Sequence, residues 1–446
     1  MGKIVKYQNN EFYLFEYKSI YFIYNVDTLT FCVLSHEEYQ KVCDNEGFPI
    51  IDSFLAQDMH ILKDKPKLQA ETEYKPLKVV ALEVSNDCNL RCSYCYGDGG
   101  TYGKEACYMS SEVAYNCIDF LINHSMGVKN LQVIFFGGEP LMNFNVIYEV
   151  VEYTKTKTKE LGIHFSYGIT TNATLLDEKK INYLKENKFV ITVSIDGPKE
   201  VHDMNRYYKL GVGSHDRTVE AVKQMLQKGM RLRARATINR AELRLTYIDK
   251  YLADLGFEDV VLTYVDIDSS DKLYIPDEKF EIIEKEIEAL GEICITELLS
   301  TKSTHVHMFK ASLERLYTHY RAERACGSGV TYAAFTAKGE LYPCHRFSNW
   351  DKYKLGDFNS ENFGNKEFLQ CTVLNRETCN ECFGRHICGG NCIHSAALFN
   401  GSIYKTDSHY CKLYNKVFEI AMYIYNTISE RNPELFNEIF NRQGKQ

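Results

Sequence analysis

Sixteen cysteines give this chain most of its chemical potential, and ten of them fall into two spaced arrays. The first array is Cys88, Cys92 and Cys95, with three and then two residues between the thiols. Three thiolates at this spacing can bind three corners of a four-iron cluster and leave the fourth iron with an open position. A structural zinc site needs four ligands, and no His or Cys nearby offers a fourth, although Cys107 remains a remote candidate.

The second array comprises seven cysteines near the C-terminus: Cys326, Cys344, Cys379, Cys382, Cys388, Cys392 and Cys411. In a reducing compartment this clustering indicates metal ligation rather than disulfides. Because C-x2-C elements are also common in zinc ribbons, a pair of such ribbons is the alternative. The other cysteines are scattered, as small buried apolar side chains are: Cys32, Cys43, Cys107, Cys117, Cys294 and Cys371.

Apolar runs that alternate with helix-period segments must position the first array. Strands are expected at 78–84, 131–136, 164–170, 189–195, 231–238 and 259–264, with helices near 111–125, 144–161, 177–186, 215–228 and 243–255. Six such units in series predict an α/β fold with a parallel sheet wrapped by helices, a partial (β/α)6 barrel of the TIM type. Functional groups in such sheets gather at the C-terminal strand ends.

Polar and glycine residues follow these strands where a ligand would bind. They are Gly137, Gly138, Glu139 and Pro140 after the second strand, Thr171 and Asn172 at the third, Ser194 and Asp196 at the fourth, and Arg206 twelve residues beyond Ser194. Glycines allow close backbone approach, a carboxylate accepts from an ammonium, and an arginine fork suits a carboxylate. The structural alternatives are a turn at Asn172, a helix cap at Asp196 and a surface ion pair at Arg206.

The first array resembles the signature of the radical S-adenosylmethionine (AdoMet) superfamily, C-x3-C-x2-C with an aromatic residue, here Tyr94, before the last cysteine. The resemblance implies a [4Fe–4S] cluster whose open iron binds AdoMet and cleaves it to a 5'-deoxyadenosyl radical that abstracts a substrate hydrogen atom. It also implies that the Gly-Gly-Glu-Pro segment contacts the AdoMet amino group. Ser194 and Arg206 resemble the residues that contact its carboxylate, with Asn172 and Asp196 in the same pocket.

The second array resembles the SPASM domain, a C-terminal extension that often holds two auxiliary four-iron clusters, so that three clusters are expected in all. The resemblance assigns Cys379, Cys382, Cys388 and Cys411 to an outer cluster, and Cys326, Cys344 and Cys392 to an inner one. The residues before Cys326 lack the additional cysteine that completes the inner cluster in some members. We therefore expect an open iron for a substrate thiolate, or recruitment of Cys371 or Cys294.

His345, directly after Cys344, bears on the substrate. Sulfatase maturases with this extension carry at that position an Asp that accepts a proton, so the histidine argues against a sulfatase substrate. His345 is a candidate catalytic residue that takes a proton near neutral pH, or else it donates a hydrogen bond to cluster sulfur.

Residues 1–70 form a further module, with strand-like runs at 12–17, 20–24 and 30–34 and a helix that opens near Ser35. This module resembles the PqqD-like leader-recognition element of peptide maturases, which would hold a leader as an added strand. Interdomain packing or dimerisation is the competing interpretation. The expected domains are 1–70, a barrel at 76–300, the auxiliary-cluster domain at 322–412 and a C-terminal helix at 413–446, with a Lys-rich connection at 63–75.

Together these features predict a maturase that installs thioether cross-links, of the sactipeptide or ranthipeptide type, in a Cys-rich ribosomally made precursor with a leader. The alternatives are a carbon-carbon cross-linking or epimerising maturase, a sulfatase-maturase-like modifier, and a non-catalytic zinc scaffold. A low-potential donor such as flavodoxin or ferredoxin is an expected partner. A net charge of -8 argues against nucleic acid, and no apolar run is long enough to predict a membrane segment, so we expect a cytoplasmic protein.

Overall fold

The computed structural model describes residues 2–63, 74–348 and 350–443, and the chain divides into two compact units. We call one the terminal unit, which contains Met1–Ala70, Asp277–Cys326 and Cys371–Gln446. The other, the barrel unit, contains Glu71–Pro276 and Gly327–Gln370. Most of the connection expected at 63–75 lies outside the described residues.

The terminal unit begins with an antiparallel meander and two helices: β1 Lys3–Tyr7, β2 Asn10–Tyr17, β3 Ile20–Asn25, β4 Phe31–Leu34, α1 His36–Cys43 and α2 Phe48–Lys63. Three of these strands match the expected runs, whereas β1 was not expected. Phe12, Leu14 and Ile23 pack one face of the sheet into a core with Val42 of α1. The Ser35 hydroxyl accepts from the backbone N–H of Glu38, which closes a capping box and fixes the start of α1.

The barrel unit alternates strands and helices as expected: β5 Val79–Ser85, α3 Ser111–Asn123, β6 Asn130–Gly137, α4 Phe144–Leu161, β7 His164–Thr171, α5 Glu178–Glu186, β8 Val190–Ser194, α6 Lys199–Asn205, α7 His215–Gln227, β9 Leu232–Ile238, α8 Leu245–Leu255 and β10 Asp259–Tyr264. All neighbouring pairs from β5 to β10 are parallel. Strand β6 shows the two faces, since Val133 and Phe135 are fully buried whereas Ile134 and Phe136 are half-buried on the opposite side. The expected parallel α/β sheet is thus confirmed.

The chain after β10 contributes to both units. The terminal unit contains α9 Phe280–Thr301 and α10 Lys310–Thr318. The barrel unit contains β11 Tyr332–Phe335, β12 Glu340–Tyr342, β13 Gly356–Asp357 and α11 Lys366–Gln370. Strand β11 pairs in parallel with β5, and β12 and β13 follow antiparallel. In the described part of the barrel unit the sheet therefore has nine strands, three more than the repeating pattern predicts.

The terminal unit ends in helices α12 Arg385–Cys388, α13 Ile393–Asn400, α14 Cys411–Arg431 and α15 Leu435–Gln443. One helix was expected at 413–446, and the structure has two there. Pro433 explains the break, because a proline disfavours helical backbone at the residue before it, here Asn432. Helices α9 and α14 pack together closely enough that a Cβ at Gly291 would meet Ile420.

Candidate active site

The loop after β5 carries the first cysteine array at the C-terminal edge of the sheet. Cys88 and Cys92 are half-buried and Cys95 is exposed. Burial, together with the charges of Glu139, Cys92 and Cys95, raises the pKa of the Cys88 thiol to about 12. The three thiols therefore lie near one another, and as thiolates they need a compensating cation, which the iron of a cluster supplies.

Arg91 stabilises this cysteine loop through hydrogen bonds to its backbone. Its guanidinium donates to the carbonyls of Cys88, of Leu90 at 2.7 Å and of Gly99 at 3.3 Å. One side chain thus joins the first cysteine to the end of the loop, and holds the backbone between them in a fixed curve.

The glycine pair at the end of β6 makes room for the start of the cysteine loop. The N–H of Gly138 donates to the Ser85 carbonyl at 2.8 Å, and the N–H of Glu139 donates to the Asp87 carbonyl at 2.9 Å. A Cβ at Gly138 would collide with that Asp87 carbonyl, and Gly137 has a φ of 130°. The glycines are therefore required because two backbone segments meet here.

Glu139 is 1% exposed, yet its carboxylate accepts several hydrogen bonds from described neighbours. Its oxygens accept from the Thr171 hydroxyl at 2.7 Å, from the Asn172 N–H at 2.8 Å and from the Leu141 N–H at 3.0 Å. Burial raises the pKa of Glu139 even though these bonds oppose it. A carboxylate has about four acceptor positions, so one remains for a ligand such as an ammonium.

Asn172 fastens the end of β7 to the cysteine loop. Its amide donates to Asn89 Oδ1 at 3.0 Å and lies 3.8 Å from Cys88 Sγ, while its Oδ1 accepts from Thr174. Asn172 is thus a turn residue, as one alternative predicted, and it also contacts the first cysteine.

Arg206 lies against the cysteine loop rather than in a surface ion pair. It is 8% exposed, and its guanidinium donates to the Tyr94 hydroxyl at 2.9 Å, which in turn donates to Asp196. Burial lowers the pKa of Arg206, but the nearby charges of Cys92 and Asp196 outweigh it and raise that pKa. The buried Nε has no hydrogen-bond partner among the described residues. A ligand carboxylate could take that position. Ser194, half-buried, ends β8 nearby in sequence.

Two side chains that sequence reasoning missed support this arginine. His202 is fully buried; its Nε2 lies 2.9 Å from the Ser214 hydroxyl, which donates to the Arg206 carbonyl at 2.9 Å. The other ring nitrogen, Nδ1, accepts from the Asp196 N–H at 3.4 Å. Burial and the charge of Arg206 lower the pKa of His202, so it stays neutral and can accept there. Sequence analysis singled out Arg206, but a histidine in the polar run before it gives no sign of its burial.

The chemistry of this donor set fits a three-thiolate cluster beside a molecule with an ammonium and a carboxylate. Among the described residues, no three Cys, His, Asp or Glu side chains surround one position at the distances of a single metal ion. A four-iron cluster requires a wider arrangement, because each thiolate binds a different corner of the cube.

Four cysteines of the second array come together in the terminal unit. Burial and the charges of Cys388, Cys382 and Cys379 raise the pKa of Cys411 to about 12. Cys379 Sγ also lies 3.0 Å from the Thr406 hydroxyl. These four residues are the ones assigned by resemblance to the outer cluster.

The remaining array cysteines are divided between the units: Cys326 and Cys392 belong to the terminal unit and Cys344 to the barrel unit. Their common cluster stays a prediction. Cys294 is fully buried on α9, and the buried Cys371 thiol lies 3.4 Å from the Ile403 carbonyl. Whether either one completes the inner cluster also stays open to test.

His345 contacts residues of two strands of the barrel unit's sheet, Phe136 of β6 and Tyr332 of β11. Its ring centre is 4.1 Å from that of Phe136, and Nδ1 lies 2.8 Å from the Tyr332 hydroxyl. Burial, together with Arg346 and Arg235, lowers the pKa of His345 to about 3.

Residues 82–240 match the model of the Radical SAM superfamily, and this stretch holds the first array and all the groups around it. The chain contains a radical SAM domain. In this domain the cysteine loop, Glu139, Asn172 and Asp196 follow strands, and Arg206 follows α6. The chain is accordingly a radical SAM enzyme, and this family implies a [4Fe–4S] cluster and AdoMet.

One curated protein and two solved structures illustrate what this chain is similar to. A cysteine-type anaerobic sulfatase-maturating enzyme of Clostridium perfringens is 26% identical over 369 residues, 78% of this chain and 96% of the relative. The structure titled native anSMEcpe with bound AdoMet and Cp18Cys peptide has a TM-score of 0.66 at 22% identity, and covers 82% of this chain and 99% of that one. Streptococcus suis SuiB bound to precursor peptide SuiA gives 0.52 at 14% identity, with 86% and 95% covered. These structural matches support the fold.

None of the helices in the described parts of the chain combines the length and the apolar character needed to cross a bilayer.

Proposed function

We propose that this radical SAM enzyme is a peptide maturase that joins a cysteine sulfur of a Cys-rich, ribosomally made precursor to a carbon of another residue. Cys88, Cys92 and Cys95 would hold the AdoMet-binding cluster, with Glu139 and Arg206 contacting the amino and carboxylate groups of AdoMet. When bound and reduced, cluster and cofactor supply the hydrogen-abstracting radical of the superfamily. The second array would hold two auxiliary clusters, and a flavodoxin or ferredoxin would supply electrons.

The environment of His345 is the observation that carries this choice of substrate. The His345 ring is half-buried, and its centre lies 4.1 Å from that of Phe136. In the sulfatase-maturase resemblance, the residue at this position is a carboxylate that accepts a proton. The His345 ring, whose Nδ1 lies 2.8 Å from the Tyr332 hydroxyl, suits a hydrogen-bonding role beside Cys344 instead. The surroundings of His345 therefore support a reaction in which residue 345 is not the proton acceptor.

The N-terminal module supports a leader-bearing precursor. In the described residues the module's sheet has β1 and β4 at its edges. An edge strand can accept an extended leader through main-chain hydrogen bonds, and tethering then raises the effective concentration of the core peptide.

The test is turnover under anaerobic conditions with reconstituted clusters, AdoMet, reductant and the Cys-rich peptide encoded beside the gene. We expect deoxyadenosine, together with a peptide that is lighter by two hydrogen atoms for each thioether formed. Unchanged peptide mass alongside normal AdoMet cleavage would overturn the thioether assignment. Epimerisation also leaves mass unchanged, so exchange of solvent deuterium into the peptide identifies that alternative.

A sulfatase-type substrate is the second candidate, because the Clostridium perfringens relative is matched over 96% of its length. A synthetic peptide with a sulfatase cysteine motif, offered in parallel, distinguishes the two functions. Oxidation of its cysteine side chain to an aldehyde, with no change in the Cys-rich precursor, would favour the sulfatase role.

A further inference from the structure

Glu83 is a carboxyl group buried in the barrel unit's sheet, on the strand that leads into the loop of Cys88. It has no exposed surface, and its register partner on β6 is Phe136. Oε1 accepts a hydrogen bond from the Ser348 hydroxyl, whereas Oε2 has no partner in the described part of the chain. A carboxyl buried in this way costs stability, and such exceptions call for a role.

Ser348 connects this carboxyl to the turn that carries Cys344. The turn begins at Cys344, continues as a short 3-10 segment at His345–Phe347 and ends at Ser348. The N–H of Phe347 donates to the Cys344 carbonyl at 3.0 Å. Ser348 is 3% exposed, so water competes little for its hydroxyl.

Glu83 thus joins two segments that carry cysteines remote from each other in sequence. It precedes Cys88 closely along the chain, and its partner Ser348 closely follows Cys344. All four residues belong to the barrel unit. A single buried hydrogen bond therefore joins the strand before the first array to the turn of a cysteine from the second.

We propose that Glu83, through Ser348, fixes the turn from Cys344 to Ser348 against β5 and so sets where Cys344 lies relative to Cys88. Glu83 is a positioning residue, since it acts through Ser348. The functional consequence rests on the proposed function, in which both cysteines bind clusters. The structural consequence stands without it, because the turn and the strand are parts of this chain alone.

Hydrogen–deuterium exchange of the anaerobically purified holoenzyme tests the proposal directly. Ser348→Ala removes the donor and Glu83→Leu removes the acceptor, so the amides of residues 344–347 should exchange about tenfold faster in both variants. Glu83→Gln keeps an oxygen that accepts from Ser348, so these amides should exchange no faster than in the wild type. Tyr167→Phe is the control, since it loses a buried hydrogen bond to Thr154, of 2.7 Å, on another side of the same unit.

Wild-type exchange rates at 344–347 in Ser348→Ala would overturn the proposal, and this variant decides the matter even where Glu83→Leu does not fold. Faster exchange across the whole barrel unit would also contradict it, because that indicates general destabilisation. Neither AdoMet nor peptide is present, so the result is independent of the proposed function. Failure of that function would appear separately, as a precursor that the wild-type enzyme leaves unmodified.

A second measurement tests whether the position of residues 344–348 affects catalysis. Where the wild type modifies its peptide, Ser348→Ala should cleave more AdoMet for each peptide modified, and Glu83→Gln should restore the wild-type ratio. An unchanged ratio in Ser348→Ala would show that the position of this turn does not affect how efficiently AdoMet cleavage leads to peptide modification.

Discussion

Tyr94 donates a hydrogen bond to the carboxylate of Asp196, across 102 positions of the chain. The same phenol accepts from Arg206 at 2.9 Å. Because Tyr94 lies between Cys92 and Cys95, this pair connects the cysteine loop to the segment after β8. The aromatic residue of the motif therefore does more than fill space, since its hydroxyl orients both a carboxylate and a guanidinium.

Replacement of Tyr94 by Phe should weaken AdoMet binding about tenfold, because loss of a buried hydrogen bond costs about 1 to 1.5 kcal/mol. Without the hydroxyl, the guanidinium of Arg206 is no longer held in place. Calorimetric titration of the anaerobic enzyme measures this affinity. Tyr153→Phe is the matched control, since its hydroxyl bonds Asp119, at 2.7 Å, away from the loop. Equal affinities for Tyr94→Phe and the wild type would show that the phenol does not organise the site.

Cys382→Ser should lower the iron content by about four atoms per chain, because each thiolate of the expected outer cluster binds one corner of a four-iron cube. Cys107→Ser is the control and should leave iron unchanged. Its thiol is half-buried, and burial raises its pKa, as for a structural cysteine. Iron analysis with electron paramagnetic resonance measures both. Full iron content in Cys382→Ser would remove this residue from the ligand set.

Glu83→Gln should become more stable than the wild type as pH rises. Burial raises the pKa of Glu83 to about 8 from its usual 4.5, while Ser348 opposes and Glu340 adds to the shift. The unfolded chain releases this proton at a lower pH than the folded chain does. The stability of the wild type therefore falls as pH rises from the lower pKa to the higher one, and levels off above the higher one. At about 1.4 kcal/mol per pH unit, the difference should reach roughly 5 kcal/mol.

Thermal unfolding of the anaerobic proteins at the two ends of this window measures that difference. The titratable groups that face Glu83 are Tyr96, Tyr102, Cys107 and Glu340. The pKa values of the first three are raised by burial, and that of Glu340 is lowered by Lys354, so none of them titrates within the window. Parallel pH curves for the variant and the wild type would contradict a neutral Glu83.

Asp27→Ala should destabilise the terminal unit by about 2 kcal/mol, because removing one partner leaves buried positive charge less compensated. Asp27 pairs with Arg385 at 3.4 Å and Arg321 at 3.7 Å, and Arg385 is nearly buried. The urea midpoint measures the loss, with Glu37→Ala as the control, because its pair with Lys41 is exposed and contributes little. Equal midpoints for Asp27→Ala and Glu37→Ala would contradict this account.

Local sequence signals predicted the repeating part of the fold closely. The run expected at 259–264 is β10 Asp259–Tyr264, and the helix expected at 144–161 is α4 Phe144–Leu161. These segments have strong apolar periodicity and clear ends, which sequence patterns reveal directly. The residues expected at the strand ends, Glu139 and Asn172, also lie beside the cysteine loop, for the same reason. Arg206, expected twelve residues beyond Ser194, contacts the same loop through Tyr94.

Other features depend on pairing between distant segments and could not be read from local patterns. Strand β11 adds to the sheet beside β5, although the whole repeating part of the barrel unit separates the two strands in sequence. Strand β1 was missed because only Val5 is buried in it, so its apolar alternation is weak. Glu83 gave no signal either, since a lone glutamate in an apolar run does not reveal that Ser348 will meet it.

The most direct test of the central claim is electron-nuclear double resonance on the reduced, anaerobically purified enzyme with AdoMet labelled by a magnetic isotope at its amino nitrogen. We expect an iron-sulfur signal coupled to that nitrogen, and the coupling should disappear when Cys88, Cys92 or Cys95 is replaced by Ser. A cluster signal with no coupling to the labelled nitrogen, or zinc in place of iron at these three cysteines, would contradict it.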